Sequence, residues 1–387
     1  MVRRYLIDPS AFSPGQRRHV IRHPTGYVAF VPPPLPPALE LTPALVSALS
    51  NADRQLGLLA GAGEWLPNPH LLIRPFLRRE AVLSSRIEGT QASVEDLVLF
   101  EAAPQVPSAP DVREVANYVR ALELAVRADR ELPLSLRLIR DLHRELMTGV
   151  RGAHLAPGEF RTSQNWIGPA GCTLNEATYV PPPLDEMWQA LDVFEKHLHE
   201  PDPFPPLVRL ALIHYQFEAI HPFLDGNGRI GRLLMSLLLH DWDLLPQPLL
   251  YLSAFFERER SRYYELLFAV SQRGAWSDWV SFFLEGIADQ SADVIERARR
   301  LFAVRERYRT ELQRGRASAL PLRLVDHLFE FPAITVPQAQ RVLDVSARAA
   351  RLNVMKLEQL GIIEEVTGRT RNRVFVAHEI LDLLGEP

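Results

Sequence analysis

Cysteine is almost absent from this 387-residue chain. Cys172 stands alone, which excludes an intrachain disulfide and any cysteine-rich metal site, and fits a reducing compartment. Lysine is scarce as well: Lys196 and Lys356 are the only two, and every other basic residue except the histidines is arginine, which we read as genome composition. No apolar run reaches the roughly 18 residues a membrane helix needs. The opening residues Met1-Val2-Arg3-Arg4-Tyr5-Leu6-Ile7-Asp8-Pro9 lack the apolar stretch of a signal peptide, so the expectation is a cytoplasmic protein with no membrane partner. A strong charge of one sign is missing too. A net charge of -4 and a pI near 6.3 give no global attraction to nucleic acid, so any DNA contact must be local. No internal repeat stands out, which excludes a solenoid.

What is present is a chain that is 47% hydrophobic and 23% charged, enough for a large core and for two or three domains. Pro32, Pro33, Pro34, Pro36 and Pro37 force an extended arm between Phe30 and Leu41, after which Thr42 can cap a helix running towards Leu59. Apolar residues at three and four spacing predict further helices over 71–87, 111–128, 134–148, 183–198, 207–218, 229–240 and 276–287. The first of these stops at Gly89. A mixed-charge helix over 292–314 reads as a connector. Between two helices, 158–168 and Tyr179 to Pro183 read as a short hairpin, a candidate lid or docking edge. The fold class is mainly α.

The chemistry concentrates in His221-Pro222-Phe223-Leu224-Asp225-Gly226-Asn227-Gly228-Arg229, which begins where one helix ends and opens the next. Gly226, Asn227 and Gly228 allow a tight turn that aims successive N–H groups at one place, where the helix dipole adds positive charge; phosphate is the natural guest. Arg229 and Arg232, three apart, fall on neighbouring positions of one face and suit a polyphosphate. Asp225 stands where a Mg2+ ion would take one protein oxygen and fill its shell with phosphate oxygens and water. His221 can accept the proton of an attacking hydroxyl near neutral pH, while Phe223 anchors the loop. The Asp-Gly-Asn-Gly string could suggest half of a calcium loop, but the acidic spacing of an EF-hand is missing and Arg229 falls where a further acid would be useful.

The string resembles the signature of the Fic family, His-Pro-Phe-x-Asp/Glu-Gly-Asn-Gly-Arg-x-x-Arg, at every fixed position. The resemblance implies a Fic-type helical core with a small β-hairpin flap. It implies His221 as base, Asp225 as Mg2+ ligand, and Gly226, Asn227, Gly228, Arg229, Ile230, Gly231 and Arg232 as the nucleotide cradle, with ATP as substrate. Gly228 stands where toxin kinases of the wider superfamily have lysine, which favours nucleotidyl transfer. The flap would contribute Asn165, Trp166, Ile167 and Gly168 beside the nucleotide and offer an edge to a protein target. Tyr263 and Tyr264 match a Tyr pair common beside the nucleotide, with aromatic core packing as the competing role. Ser84-Ser85-Arg86-Ile87-Glu88-Gly89 resembles the family's inhibitory motif: Ser84 and Glu88, four apart, would share a helix face, and Glu88 would pair with Arg232 and withdraw it from ATP.

Beyond residue 320 a helix, the segment Ile334-Thr335-Val336, a second helix to Leu343 and a third capped by Ser346 resemble a winged helix-turn-helix. Ala347, Ala350, Val354, Leu357 and Leu360 form the inward stripe of the third helix; Arg348, Arg351 and Lys356 lie elsewhere on it, with Arg369, Arg371 and Arg373 in the wing as candidate DNA contacts. The domain expectation is an N-terminal arm and inhibitory helices over 1–100, the catalytic core over 101–290, a connecting helix over 291–319 and the winged helix over 320–387. The leading functional expectation is an autoinhibited protein adenylyltransferase with Mg2+, acting on a Ser, Thr or Tyr hydroxyl of a protein or of itself, in a homodimer. The alternatives are a DNA-binding regulator with a nucleotide-sensing or self-modifying Fic domain, and AMP removal or UMP transfer.

Overall fold

The computed structural model describes residues 8–65, 70–105, 109–127, 130, 132–152, 154–169, 171–245, 247–314 and 319–385. A short helix α1 (Pro14–Arg17) precedes an antiparallel pair, β1 (Val20–Arg22) and β2 (Val28–Phe30), in register Val20↔Phe30 and turned at Gly26, whose φ is +101°. Helices follow: α2 (Pro43–Trp65), α3 (His70–Ile87), α4 (Val94–Ala102), α5 (Pro110–Ala125), α6 (Leu136–Met147), α7 (Leu184–His199), α8 (Pro206–Ile220), α9 (Asn227–Asp241), α10 (Ser253–Arg258), α11 (Arg260–Arg273), α12 (Trp276–Arg314) and α13 (Ala319–Glu330). Then come β3 (Ala333–Thr335), α14 (Val336–Leu343), α15 (Ala347–Gln359), β4 (Glu364–Glu365), β5 (Val374–Val376) and α16 (His378–Gly385).

Local chemistry explains many of the boundaries. Thr42 accepts from the N–H of Leu45 at 3.3 Å, as expected of the cap of α2. Ser93 and Asp96 close a reciprocal capping box at the start of α4. The end of α3 is a Schellman motif: the Thr90 N–H reaches the Ser85 carbonyl and the Gly89 N–H reaches Arg86, with Gly89 at φ +98°. Ser346 caps α15 by accepting from Ala349 at 3.3 Å.

Two compact units interleave along the chain. The first is drawn from Met1–Leu56, Arg120–Leu244 and Phe255–Asp289. Its centre is α8, buried on nearly every face and packed against α7 and α9. His214 on α8 sits among Phe256, Tyr263 and Trp279, its Nε2 2.8 Å from the Tyr263 hydroxyl and its Nδ1 3.2 Å from the Gly231 carbonyl. Trp279 donates to the Ala211 carbonyl at 2.9 Å, so this aromatic core has its polar atoms matched. Each such buried ring stabilises the core by about 2–3 kcal/mol relative to an exposed one.

The second unit comprises Gly57–Val119, Leu245–Ala254 and Gln290–Pro387. Within it α13 packs on α3, and the sheet has the order β3-β5-β4, with Ala333 opposite Val376 and Glu364 opposite the same residue from the other side. Arg74 and Arg78 of α3 lie 4.9 and 4.8 Å from the ring centre of Phe331. Arg78 also pairs with Glu101 of α4 at 2.7 Å and donates to the Glu330 carbonyl at 3.0 Å. Buried Glu80 accepts from the Ser253 N–H and the Tyr118 hydroxyl, each at 3.2 Å.

Several expectations need correction. The helices over 276–287 and 292–314 are one, α12, because nothing between Ile287 and Ala292 breaks a helix. The inward stripe of α15 is Ala350, Val354 and Leu357; Ala347 is exposed at the first turn and Leu360 lies past the last, while Ile362 and Ile363 complete the core. Helix α5 ends at Ala125, and the expected end at Ala128 lies outside the described residues, as do Met1 to Ile7. The β1–β2 pair and α4, α10 and α11 carried signals too short or too irregular in period to be read.

Burial pushes the His214 imidazole down to about 3. The unfolded chain, with an ordinary histidine, binds that proton at higher pH, so the neutral folded form is favoured above pH ~6.5 and the contribution is lost as pH falls from there towards 3. The melting temperature is expected to drop across this window, and His214→Gln should flatten the drop; parallel curves for the two proteins would remove His214 as its source.

Candidate active site

The site is built where α8 hands over to α9. Helix α8 ends at His221, whose backbone is left-handed (φ 50°, ψ 60°), a conformation costing a non-glycine residue about 1–2 kcal/mol. The loop that follows repays this with hydrogen bonds. The Asn227 side chain accepts from the Phe223 N–H and donates to the Phe223 carbonyl, both at 2.8 Å, folding the turn onto the first residue of α9. The Asn165 amide donates to the same Phe223 carbonyl at 2.7 Å and to His221 at 3.3 Å. Arg161, 1% exposed, clamps the loop from the flap side: its Nε donates to the His221 carbonyl at 3.1 Å and its N–H to Pro222 at 2.9 Å. Burial lowers this guanidinium to about 10, still protonated at neutral pH.

Phe223 is fully buried, stacked on His143 with ring centres 3.8 Å apart and planes 8° from parallel, and tilted against Phe160 at 5.1 Å. His143 Nε2 lies 3.0 Å from the Asp225 carbonyl, and its Nδ1 accepts the Gly158 N–H at 2.8 Å. Burial is the main reason that its imidazole is pushed down to about 4.

The expected catalytic and nucleotide-binding residues come together on this loop. His221 Nδ1 lies 3.3 Å from the Glu218 carbonyl; a carbonyl only accepts, so this bond places a hydrogen on Nδ1. Gly226, at φ +79°, sets the turn into α9, and the first amides of that helix, at Asn227 and Gly228, have no acceptor within it. The Gly226 N–H donates to Asp225 Oδ1 at 2.7 Å. Arg229 and Arg232 are 3% and 1% exposed; Arg229 Nη2 lies 3.7 Å from Asp225 Oδ1 and 3.5 Å from Met147 Sδ. Gly231, next to Ile230, lies close under α8, where a Cβ would displace the Glu218 carboxylate and press on Phe217.

With Oδ1 engaged, Asp225 Oδ2 is its oxygen for a cation. No group of three or more histidine, cysteine or carboxylate side chains that could hold a metal occurs among the described residues. One carboxylate oxygen beside a helix N-terminus fits Mg2+ shared with phosphate oxygens and water, and does not fit a caged ion.

The flap is smaller than expected, a single antiparallel bridge between Ile167 and Tyr179 with bonds of 2.8 and 3.0 Å. Pro181, Pro182 and Pro183 carry no N–H, so the ladder cannot extend. Trp166 and Ile167 are 39% and 38% exposed and available to a ligand, whereas Asn165 is buried and occupied with the loop. Gly168 faces the flap's own return, where a Cβ would meet Cys172. Of the tyrosine pair, Tyr263 is 1% exposed and serves the aromatic core, and only Tyr264 presents a surface. In the second unit Ser84 is buried within α3, but Glu88 lies one residue beyond the helix end and is exposed, so the two do not share a helical face.

Arg161 and His143 escaped the sequence reading. For His143 a signal existed: it lies on the apolar face of α6 among Ile139, Leu142, Leu146 and Met147, where an imidazole needs polar partners from elsewhere in the fold.

Comparison with known proteins agrees with this geometry. Residues 46–127 match the family described as Fic/DOC family N-terminal, and residues 133–239 match the Fic/DOC family. A protein named Protein adenylyltransferase Fic from Drosophila grimshawi is 32% identical over 161 residues, covering 39% of this chain and 29% of that protein. The chain therefore matches less than a third of the length of such relatives. In fold, it is similar to a Fic family protein from Desulfovibrio desulfuricans G20 (TM-score 0.57, 21% identity, 89% of this chain and 98% of that one). It is also similar to Fic-1 (residues 134–508) from C. elegans (TM-score 0.53, 20% identity, 66% and 74%).

The Asn227 amide holds both polar groups of a buried residue. Replacing it with alanine orphans the buried Phe223 N–H, while the Asn165 amide still holds the carbonyl. Urea unfolding of Asn227→Ala is expected to show a loss of about 1–3 kcal/mol; an unchanged midpoint would mean that the turn is held by other contacts.

Proposed function

The chain belongs to the Fic family through residues 46–127 and 133–239, and from that membership we propose that it is a protein adenylyltransferase, moving AMP from ATP to a serine, threonine or tyrosine hydroxyl of a protein, itself included. The observation that carries the reading is the single turn from His221 to Arg232, which joins an imidazole, a carboxylate, the N-terminus of α9 and two buried arginines. The target oxygen attacks the α-phosphorus while the bond from that phosphorus to the oxygen bridging to the β-phosphate breaks. Pyrophosphate leaves with the electron pair, and the hydroxyl proton passes to Nε2 of His221. Arg229, Arg232 and the first amides of α9 offset the phosphate charge in a site where they are already fixed. Mg2+, when bound by Asp225 together with phosphate oxygens and water, adds charge neutralisation.

Glu88 is read as the inhibitory carboxylate, pairing with Arg232 and withdrawing it from ATP. The pair would join the exposed Glu88 to the buried Arg232; a partly exposed ion pair is worth only about 0–1 kcal/mol, so repression must depend on how far the pair is shielded from water. With α-labelled ATP and Mg2+, Glu88→Gly is expected to raise labelling of the enzyme or of lysate proteins several-fold, and adding His221→Ala to reduce it by about 100-fold or more. Equal labelling by wild type and Glu88→Gly would take Glu88 out of regulation. No label from any form would turn the assignment towards another donor, AMP removal, or a regulator.

A second reading concerns residues 320–387, a winged helix-turn-helix with α15 as the recognition helix and 366–373 as the wing. It is supported by Arg348 and Arg351, exposed on α15, and by Arg369 and Arg371, exposed in the loop between β4 and β5. Arg373 does not support it, being tied to Glu358 at 3.2 Å, and Lys356 is half-buried. Salt-sensitive DNA binding, weakened by Arg351→Ala and Arg371→Ala, is the expected result; no binding at low salt would end the reading.

A further inference from the structure

His143 is 1% exposed, comes from α6 and lies outside the signature loop, yet it touches three parts of the site at once. Its ring is the floor under Phe223, its Nε2 meets the Asp225 carbonyl, and its Nδ1 meets the N–H of Gly158, where the chain turns towards the flap. The two bonds determine its hydrogen. An N–H can only donate, so Nδ1 carries the lone pair; a carbonyl can only accept, so Nε2 carries the hydrogen. The imidazole is confined to one tautomer, with each nitrogen given a separate task.

We propose that His143 is a positioning residue that sets two distances independently: through Nε2 it fixes the Asp225 backbone, and hence the carboxylate offered to Mg2+, and through Nδ1 it fixes the base of the flap that presents the protein target. The proposal rests on the adenylyltransferase reading for its kinetic consequences but not for its structural one. An imidazole that merely fills space has no separable effects on the two sides it touches; a positioning imidazole has them.

Two conservative variants separate the tasks. Glutamine places an amide N–H near the Nε2 position and abandons the Gly158 N–H. Asparagine places a carbonyl near the Nδ1 position and abandons the Asp225 carbonyl. In a Glu88→Gly background, His143→Asn is expected to raise the Mg2+ concentration needed for half-maximal labelling about tenfold, the scale seen when the partner of a metal ligand is lost, with little change in the KM for protein target. His143→Gln is expected to do the reverse. Equal shifts in both parameters for both variants would reduce His143 to a packing residue. Nitrogen-15 spectra of histidine-labelled protein without nucleotide provide the structural readout: a hydrogen confined to Nε2 of His143 is expected, and the other tautomer, or an average of the two, overturns the proposal. Should the Glu88→Gly parent transfer no AMP at all, the adenylyltransferase reading fails while these spectra still decide the role of His143.

Discussion

Everything at the candidate site depends on a backbone turn that the chain would not adopt by itself. His221 must enter the left-handed region, Phe223 must be buried with both its backbone groups satisfied, and α9 must start at once afterwards. The side-chain amide of Asn227 makes these demands compatible, because one residue supplies both the donor and the acceptor that Phe223 lacks. Once that ring of hydrogen bonds closes, His221 and Asp225 lie on one continuous fixed turn and the first amides of α9 point past them. The signature therefore has two layers: His221, Asp225, Arg229 and Arg232 are the residues on which the proposed chemistry draws, while Phe223, Gly226 and Asn227 make the geometry possible.

The turn is in turn held from outside. Arg161 and Asn165 approach from the flap side and bind the carbonyls of His221, Pro222 and Phe223, and His143 supports Phe223 and Asp225 from α6. The flap and the signature loop are thus one hydrogen-bonded assembly in this unit, in which the Asn165 amide nitrogen is given to the loop. The buried aromatic core around His214 continues the same support beneath α9, through the Gly231 carbonyl.

The sequence made the helices and the loop readable because both signals are local. Amphipathic spacing placed α3, α6, α7, α8 and α9 to within a few residues, Thr42 and Ser346 marked their helix starts, and Gly89 marked the end of α3. What stayed hidden depends on contacts across the chain. Tyr263 reads as a ligand residue by position, but its hydroxyl finds His214, 49 residues away. The flap reads as a hairpin by composition, but its prolines deny it a ladder. The α12 helix has an internal change of charge pattern and no breaker, and only packing shows it to be unbroken.

The Phe331 ring, in contact with both Arg74 and Arg78, bears on how such a protein can diversify. Those arginines belong to α3, the helix that leads to Glu88, and Phe331 belongs to the C-terminal segment. A recombination event that imported a new C-terminal segment without its matching α3 would leave two guanidinium groups facing a foreign surface. The packing module is therefore discontinuous in the sequence: α13 and Phe331 are matched to the far earlier helix α3, and a change to one of them is felt by the other.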